Sequence, residues 1–158
     1  GKTYIMETSL APYCSNKSFL TIYGQVCAFA SSLYDSNVKD MFTGAGIFHT
    51  NGEPNPWFEV YFKTALVVKS VTLKLRGTRH CTREHDIMVT AGTKMTNKKC
   101  GIQTPNPAGV SCINQNVTIQ CDIPIVSNYL KLNITKPCYD NSCCGYMNCF
   151  NFVKLTIN

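Results

Sequence analysis

A disulfide-stapled, all-β antiparallel sandwich of the jelly-roll kind is the fold class that this 158-residue chain predicts. Three observations carry the expectation. Apolar and polar residues alternate over short runs, and long helical periodicity is hard to find. Turn-rich segments separate those runs at regular intervals. Ten cysteines are present without the paired spacing of a zinc site, which favours disulfides and an oxidising compartment.

The runs follow one another along the chain. In Phe58-Glu59-Val60-Tyr61-Phe62 one face carries Phe58, Val60 and Phe62, and Trp57, opening that strand, is expected in the core. In Val71-Thr72-Leu73-Lys74-Leu75 the odd positions are apolar. Ile87, Val89 and Ala91 repeat the pattern, as do Val117 and Ile119, then Leu130, Leu132 and Ile134, then Val153, Leu155 and Ile157. Turns at Asn51–Pro56, Pro105–Gly109 and Asp140–Ser142 punctuate them. A short helix is expected over Val38–Phe42. Four cysteines between Cys138 and Cys149 predict a stapled loop before the last strand, with Cys143 and Cys144 entering separate bridges more readily than one vicinal bridge. A chain 44% hydrophobic and 15% charged can bury a sizeable core, and residues 1–158 are expected to form one domain.

Three N-x-[ST] acceptor sites, at Asn16, Asn116 and Asn133, accompany the cysteines and predict a secreted or cell-surface glycoprotein. Asn116 and Asn133 fall on the polar faces of their strands, where a glycan meets solvent. Gly1-Lys2 lacks a charged-then-apolar leader, so a trimmed product is expected. No apolar run reaches membrane-spanning length.

Charge is distributed unevenly. Every arginine (Arg76, Arg79, Arg83) and every histidine (His49, His80, His85) lies within residues 49–85, while lysines run from Lys2 to Lys154. Guanidinium forks and imidazole nitrogens confined to one stretch point to recognition of oxygens, in contrast to a general basic coat. His80 and His85 with Cys81 lack an evident fourth metal ligand. No G-x-S-x-G, H-E-x-x-H or phosphate loop occurs, and none of the nine acids stands out as an acid/base pair, so an enzyme is not expected. Nor is a nucleic-acid binder, because no aromatics interleave with a basic groove.

From His49 the chain passes through Asn55-Pro56-Trp57-Phe58, Val68-Lys69-Ser70-Val71-Thr72-Leu73 and Arg76-Gly77 to Arg83. This order and spacing resembles the F-type lectins (fucolectins), relatives of discoidin or coagulation-factor type C domains, most strongly over residues 49–92. The resemblance implies a galactose-binding-domain-like jelly roll that binds fucose or a related terminal sugar of a glycan or glycoprotein. It implies polar roles for His49, Arg76 and Arg83, and an apolar wall from Phe48 or Phe42. Thr78 stands where the family places an aspartate after Arg-Gly, and Glu84 and Asp86 are the acids able to replace it. Calcium is the cofactor the family would bring. Asp40-Met41 and Cys149-Phe150 occupy the positions where its ligands would be sought. An alternative is an adhesion module that meets a protein or anionic membrane through Met41, Phe42, Ile47 and Phe48 with the basic rim. Oligomerisation would supply the multivalency that one weak sugar site lacks.

Overall fold

The computed structural model describes residues 21–23, 26–32, 34, 47–75, 83–103, 116–138 and 143–158. The Val38–Phe42 helix and the residues Asn16, Asp40, Met41, Phe42, Arg76, Thr78, Arg79, His80 and Cys81 lie outside the described residues. So do the turns at Pro105–Gly109 and Asp140–Ser142.

Nine strands are described: β1 (Thr21–Tyr23), β2 (Val26–Ala30), β3 (Phe48–His49), β4 (Trp57–Lys74), β5 (Ile87–Gly92), β6 (Asn97–Ile102), β7 (Asn116–Ile134), β8 (Asn151–Phe152) and β9 (Lys154–Ile157). All their pairings are antiparallel. Seven form one curled sheet in the order β1-β2-β4-β7-β5-β6, with β9 also pairing β4, and β3 pairs β8 separately. The all-β jelly-roll expectation holds.

The curl comes from two long strands that each serve both layers. The sequence reads as separate strands around Phe58–Phe62 and Val71–Leu75, but β4 is continuous over both. Its inward residues change from even positions (Phe58, Val60, Phe62, Val68) to odd ones (Val71, Leu73, with Leu75 following). Register shifts against β7 fall between Tyr61 and Leu66 and between Val68 and Ser70. An extra residue at a bulge swaps the face that subsequent side chains present and bends the strand. β7 likewise joins the Val117/Ile119 and Leu130/Leu132/Ile134 runs into one element. The first half of β4 pairs the second half of β7 (Phe58↔Leu132), and the second half pairs the first (Leu73↔Val117). Two layers therefore share the same pair of strands.

Between them lies the main core, which includes Phe58, Val60, Val71, Ile87, Val89, Leu130, Leu132 and Leu155. Four phenylalanines, Phe48, Phe58, Phe150 and Phe152, fill the end where β3 and β8 meet, with centroid separations of 4.9 Å (Phe48–Phe152), 5.0 Å (Phe48–Phe58) and 5.6 Å (Phe150–Phe152). Offset rings at these distances add attraction beyond buried area. Trp57 meets the expectation of core packing, but in a second cluster. As an odd-numbered residue of β4 it faces away from the main core. There it packs half-buried against a second cluster of Cys27, Phe29, Tyr61 and Tyr129, with the Lys131 ammonium 5.5 Å from its ring centroid.

Disulfides secure the fold where strands are short or irregular. Cys100–Cys121 ties β6 to β7. Beside it Gly101 runs so close to the Gln120 carbonyl that a Cβ would overlap it, which explains a glycine within a strand. Cys138–Cys143 and Cys144–Cys149 staple the late loop, and Cys27 is also disulfide-bonded. The expectation of separate bridges for Cys143 and Cys144 holds.

Candidate functional site

β3 is only two residues long, and strand alternation decides what each of them does. Neighbouring side chains point to opposite faces, so Phe48 enters the core at 1% exposure and His49 turns to the loops at the end of the sandwich. This corrects the expectation for Phe48: a ring enclosed by three other phenylalanines is neither a pocket wall nor part of a projecting loop. Its neighbour Ile47 is exposed.

His49 is held from both sides. Its Nδ1 lies 2.5 Å from the Thr50 carbonyl oxygen, and its Nε2 lies 3.3 Å from Nη1 of Arg83. A carbonyl only accepts and a guanidinium only donates. Nδ1 therefore carries the proton, and Nε2 offers its lone pair towards Arg83. The structure thus brings together two of the three polar residues expected from the sequence, although they lie far apart in the chain. Arg76 and Thr78 are outside the described residues.

Other elements complete the surroundings. Tyr34, 72% exposed, donates its backbone N–H to the His49 carbonyl (2.9 Å), and its ring lies 5.3 Å from the imidazole. The sulfurs of Cys144 and Cys149 group with a His49 ring nitrogen within 4.8 Å. Those sulfurs are bonded to each other, so they form a polarisable wall and not a thiolate metal site. Sequence reasoning missed both features. Tyr34 is an isolated aromatic outside any alternating run, and a bridge between Cys144 and Cys149 places its sulfurs beside His49 only once the late loop has folded back.

Asn148 secures that loop. Its amide nitrogen donates to the Pro54 and Lys136 carbonyls, each at 2.9 Å, which turns its oxygen towards His85 Nε2 at 2.8 Å. His85 Nδ1 faces the Asp86 carboxylate at 2.9 Å, and Lys136 approaches the same carboxylate at 3.5 Å. The hydrogen bond from His85 holds the Asp86 carboxyl below its ordinary range, against partial burial and with help from Lys136. His85 is thereby a structural link between loops.

Glu84 behaves in the opposite way. It is 1% exposed, accepts the Asn151 N–H at 3.0 Å, and is followed in the chain by the His85–Asp86 pair. Burial pushes its carboxyl well above the usual carboxylate range, and the Asn151 amide and the Arg83 charge pull it back only in part.

Calcium does not fit the side chains at Cys149-Phe150, where a disulfide sulfur and a core ring stand in place of oxygen donors. Asp40, the other candidate, lies outside the described residues.

No protein-family model matches the chain. Two curated relatives are similar in sequence: fucolectin-6 of Anguilla japonica, 28% identical over 126 residues, and fucolectin-5 of the same organism, 25% identical over 122. The matches cover 77% and 76% of this chain but 65% and 64% of those proteins, so the chain spans just under two thirds of their length. Among solved structures, a fucolectin from Morone saxatilis serum matches with a TM-score of 0.60 at 19% identity, covering 84% of this chain and 46% of that one. The family 32 carbohydrate-binding module of C. perfringens NanJ, in complex with galactose, matches with a TM-score of 0.61 at 15% identity, covering 84% and 92%. The lectin domain of lectinolysin, complexed with Lewis b antigen, matches with a TM-score of 0.54 at 16% identity, covering 83% and 90%.

Proposed function

We propose that this chain, similar in sequence to fucolectins and in fold to an F-type lectin, is a non-catalytic carbohydrate-binding module that takes a terminal fucose or a related sugar at the His49–Arg83 site. The observation that carries this reading is the donor–acceptor couple formed by Arg83 Nη1 and His49 Nε2. A sugar hydroxyl both accepts and donates. Placed at this couple it accepts from the guanidinium and donates to the imidazole lone pair, an arrangement that a lone cation does not offer. Because His49 is only 9% exposed, the ligand meets the edge of its ring. Tyr34 stands beside that edge as an open aromatic face for the C–H side of a pyranose, and the Cys144–Cys149 bridge is an apolar boundary suited to a deoxy methyl group. Arg76, outside the described residues, is the second guanidinium that the resemblance implies. The disulfides and three glycosylation motifs support secretion or display at a cell surface.

A glycan array on the disulfide-intact protein tests the reading. Signal restricted to fucosylated or related glycans, and lost in folded His49→Ala, Arg76→Ala and Arg83→Ala variants, is the expected result. A folded wild type with no signal on any glycan would sink it.

A further inference from the structure

We propose that Tyr146 is a second sugar platform of this site: its ring takes the unit next to the terminal sugar, so that the ligand read here is the end of an oligosaccharide. The inference rests on the sugar-site reading above and starts from the backbone. Gly145 and Tyr146 have φ angles of 63° and 65°. The Cys144 N–H donates to the Met147 carbonyl at 2.9 Å, and the Met147 N–H donates to the Cys144 carbonyl at 3.3 Å. This is a two-residue hairpin turn with positive φ at both central positions, which asparagine, aspartate and glycine accept most readily. A tyrosine there holds its backbone in a region that a bulky side chain disfavours. Burial does not offset that strain. Tyr146 is 66% exposed, and the space beside Gly145 is open. A large aromatic residue held at a disfavoured backbone position and shown to solvent points to contact with a ligand.

The turn is anchored against the site. Cys144 opens it, and the Cys144 sulfur lies within 4.8 Å of a His49 ring nitrogen. Tyr146 follows two residues later, at most about 7 Å away between Cα atoms, which places it on the same rim. Gly52 packs beneath: a Cβ there would meet the Cys144 carbonyl oxygen and the Met147 Cβ, each at 3.3 Å. The Glu53 N–H bonds the Asn148 carbonyl at 2.7 Å. Bridges at Cys143 and Cys144 tie the base of the turn. The turn is therefore ordered before any ligand arrives, and a tyrosine with two side-chain torsions adds contact area at low entropic cost. Its ring face suits the C–H side of a pyranose, and its hydroxyl can bond a sugar hydroxyl. Tyr34, whose ring lies 5.3 Å from the imidazole, stands at the terminal sugar. Tyr146 stands on the turn beyond the Cys144–Cys149 bridge, where the attached unit would lie.

Calorimetry with methyl fucoside and with a fucosylated trisaccharide tests this, on the wild type and on Tyr146→Asn, Tyr146→Phe and Tyr34→Ala. The wild type is expected to bind the trisaccharide more tightly. Tyr146→Asn is expected to lose about threefold to tenfold for the trisaccharide and nothing for methyl fucoside. Its melting temperature is expected to be unchanged or higher, because asparagine accepts positive φ. Tyr146→Phe keeps the trisaccharide advantage, and Tyr34→Ala weakens both ligands alike. In the wild type, NMR signals of the Tyr146 ring are expected to shift with the trisaccharide and to stay in place with methyl fucoside. A Tyr146→Asn variant that keeps the trisaccharide advantage, or that loses both ligands together, would overturn the proposal. So would Tyr146 ring signals unmoved by the trisaccharide, a measurement that decides even if the variants do not fold. The two readings fail separately. A wild type that binds neither ligand brings down the sugar site and Tyr146 with it, whereas methyl fucoside bound as tightly as the trisaccharide sinks the role of Tyr146 alone.

Discussion

His85 and Asp86 show how one residue pair holds a loop in place. Asn148 commits both hydrogens of its amide nitrogen to carbonyls, so it presents only oxygen to His85. His85 must then donate from Nε2, and its Nδ1 faces the Asp86 carboxylate, so both ring nitrogens are engaged. Asp86 is the depressed member. Its contribution to stability is fully present above the ordinary carboxylate pKa and is lost as pH falls through its lowered folded value. Asp86→Asn is therefore expected to reduce the melting temperature at neutral pH and to flatten the acid limb of stability below a pH of about 4. A variant whose acid limb matches wild type would show that the pair contributes nothing. Glu84, two residues earlier, has the opposite pH dependence because burial dominates it.

β3 and β8 are too short to persist alone, and their aromatic packing holds them in register. Phe48 fills a space bounded by Phe58, Phe150 and Phe152. Phe48→Ala is expected to cost about 3–5 kcal/mol in urea denaturation, through lost transfer energy and a residual cavity. A cost below about 1 kcal/mol would fit an exposed ring, as on a projecting loop. The Cys100–Cys121 bridge does comparable work for β6 and β7. With a sequence separation of 21, its removal as a double alanine variant is expected to cost about 3 kcal/mol. Equal unfolding midpoints for the double variant and wild type would indicate that strand pairing alone holds this edge.

For the molecule as a whole, the net charge of +6 raises the question of what an acidic surface would do to it. The donor–acceptor couple at His49 and Arg83 matches a neutral hydroxyl, so fucose affinity is expected to change less than about twofold between 50 and 500 mM salt. Affinity that collapses over that range would favour the alternative, a basic rim docking on sulfated glycan or anionic lipid near exposed Ile47. Asn116, exposed at the start of β7, is expected to carry N-glycan when the chain passes through a eukaryotic secretory pathway; peptide mapping before and after enzymatic deglycosylation checks it.

Alternation, turns and cysteine count carried the fold class, because burial on one face of a strand writes a period of two into the chain. They carried the strand positions also, but could not show that β4 and β7 each pass through both layers. A bulge changes inward parity in the same way that ending one strand and starting another does. The likeness to a known family singled out His49 and Arg83, and strand alternation from His49 could have excluded Phe48 as a pocket wall without any structure. The places of Tyr34, the Cys144–Cys149 bridge and Asn148, and the bond from the Asn151 N–H to Glu84, were decided by tertiary structure alone. Each depends on a contact between segments distant in sequence: β3 with Arg83, β8 with Glu84, the late loop with Pro54 and His85. Local patterning records which face a side chain takes, and only the closed fold determines what that face meets.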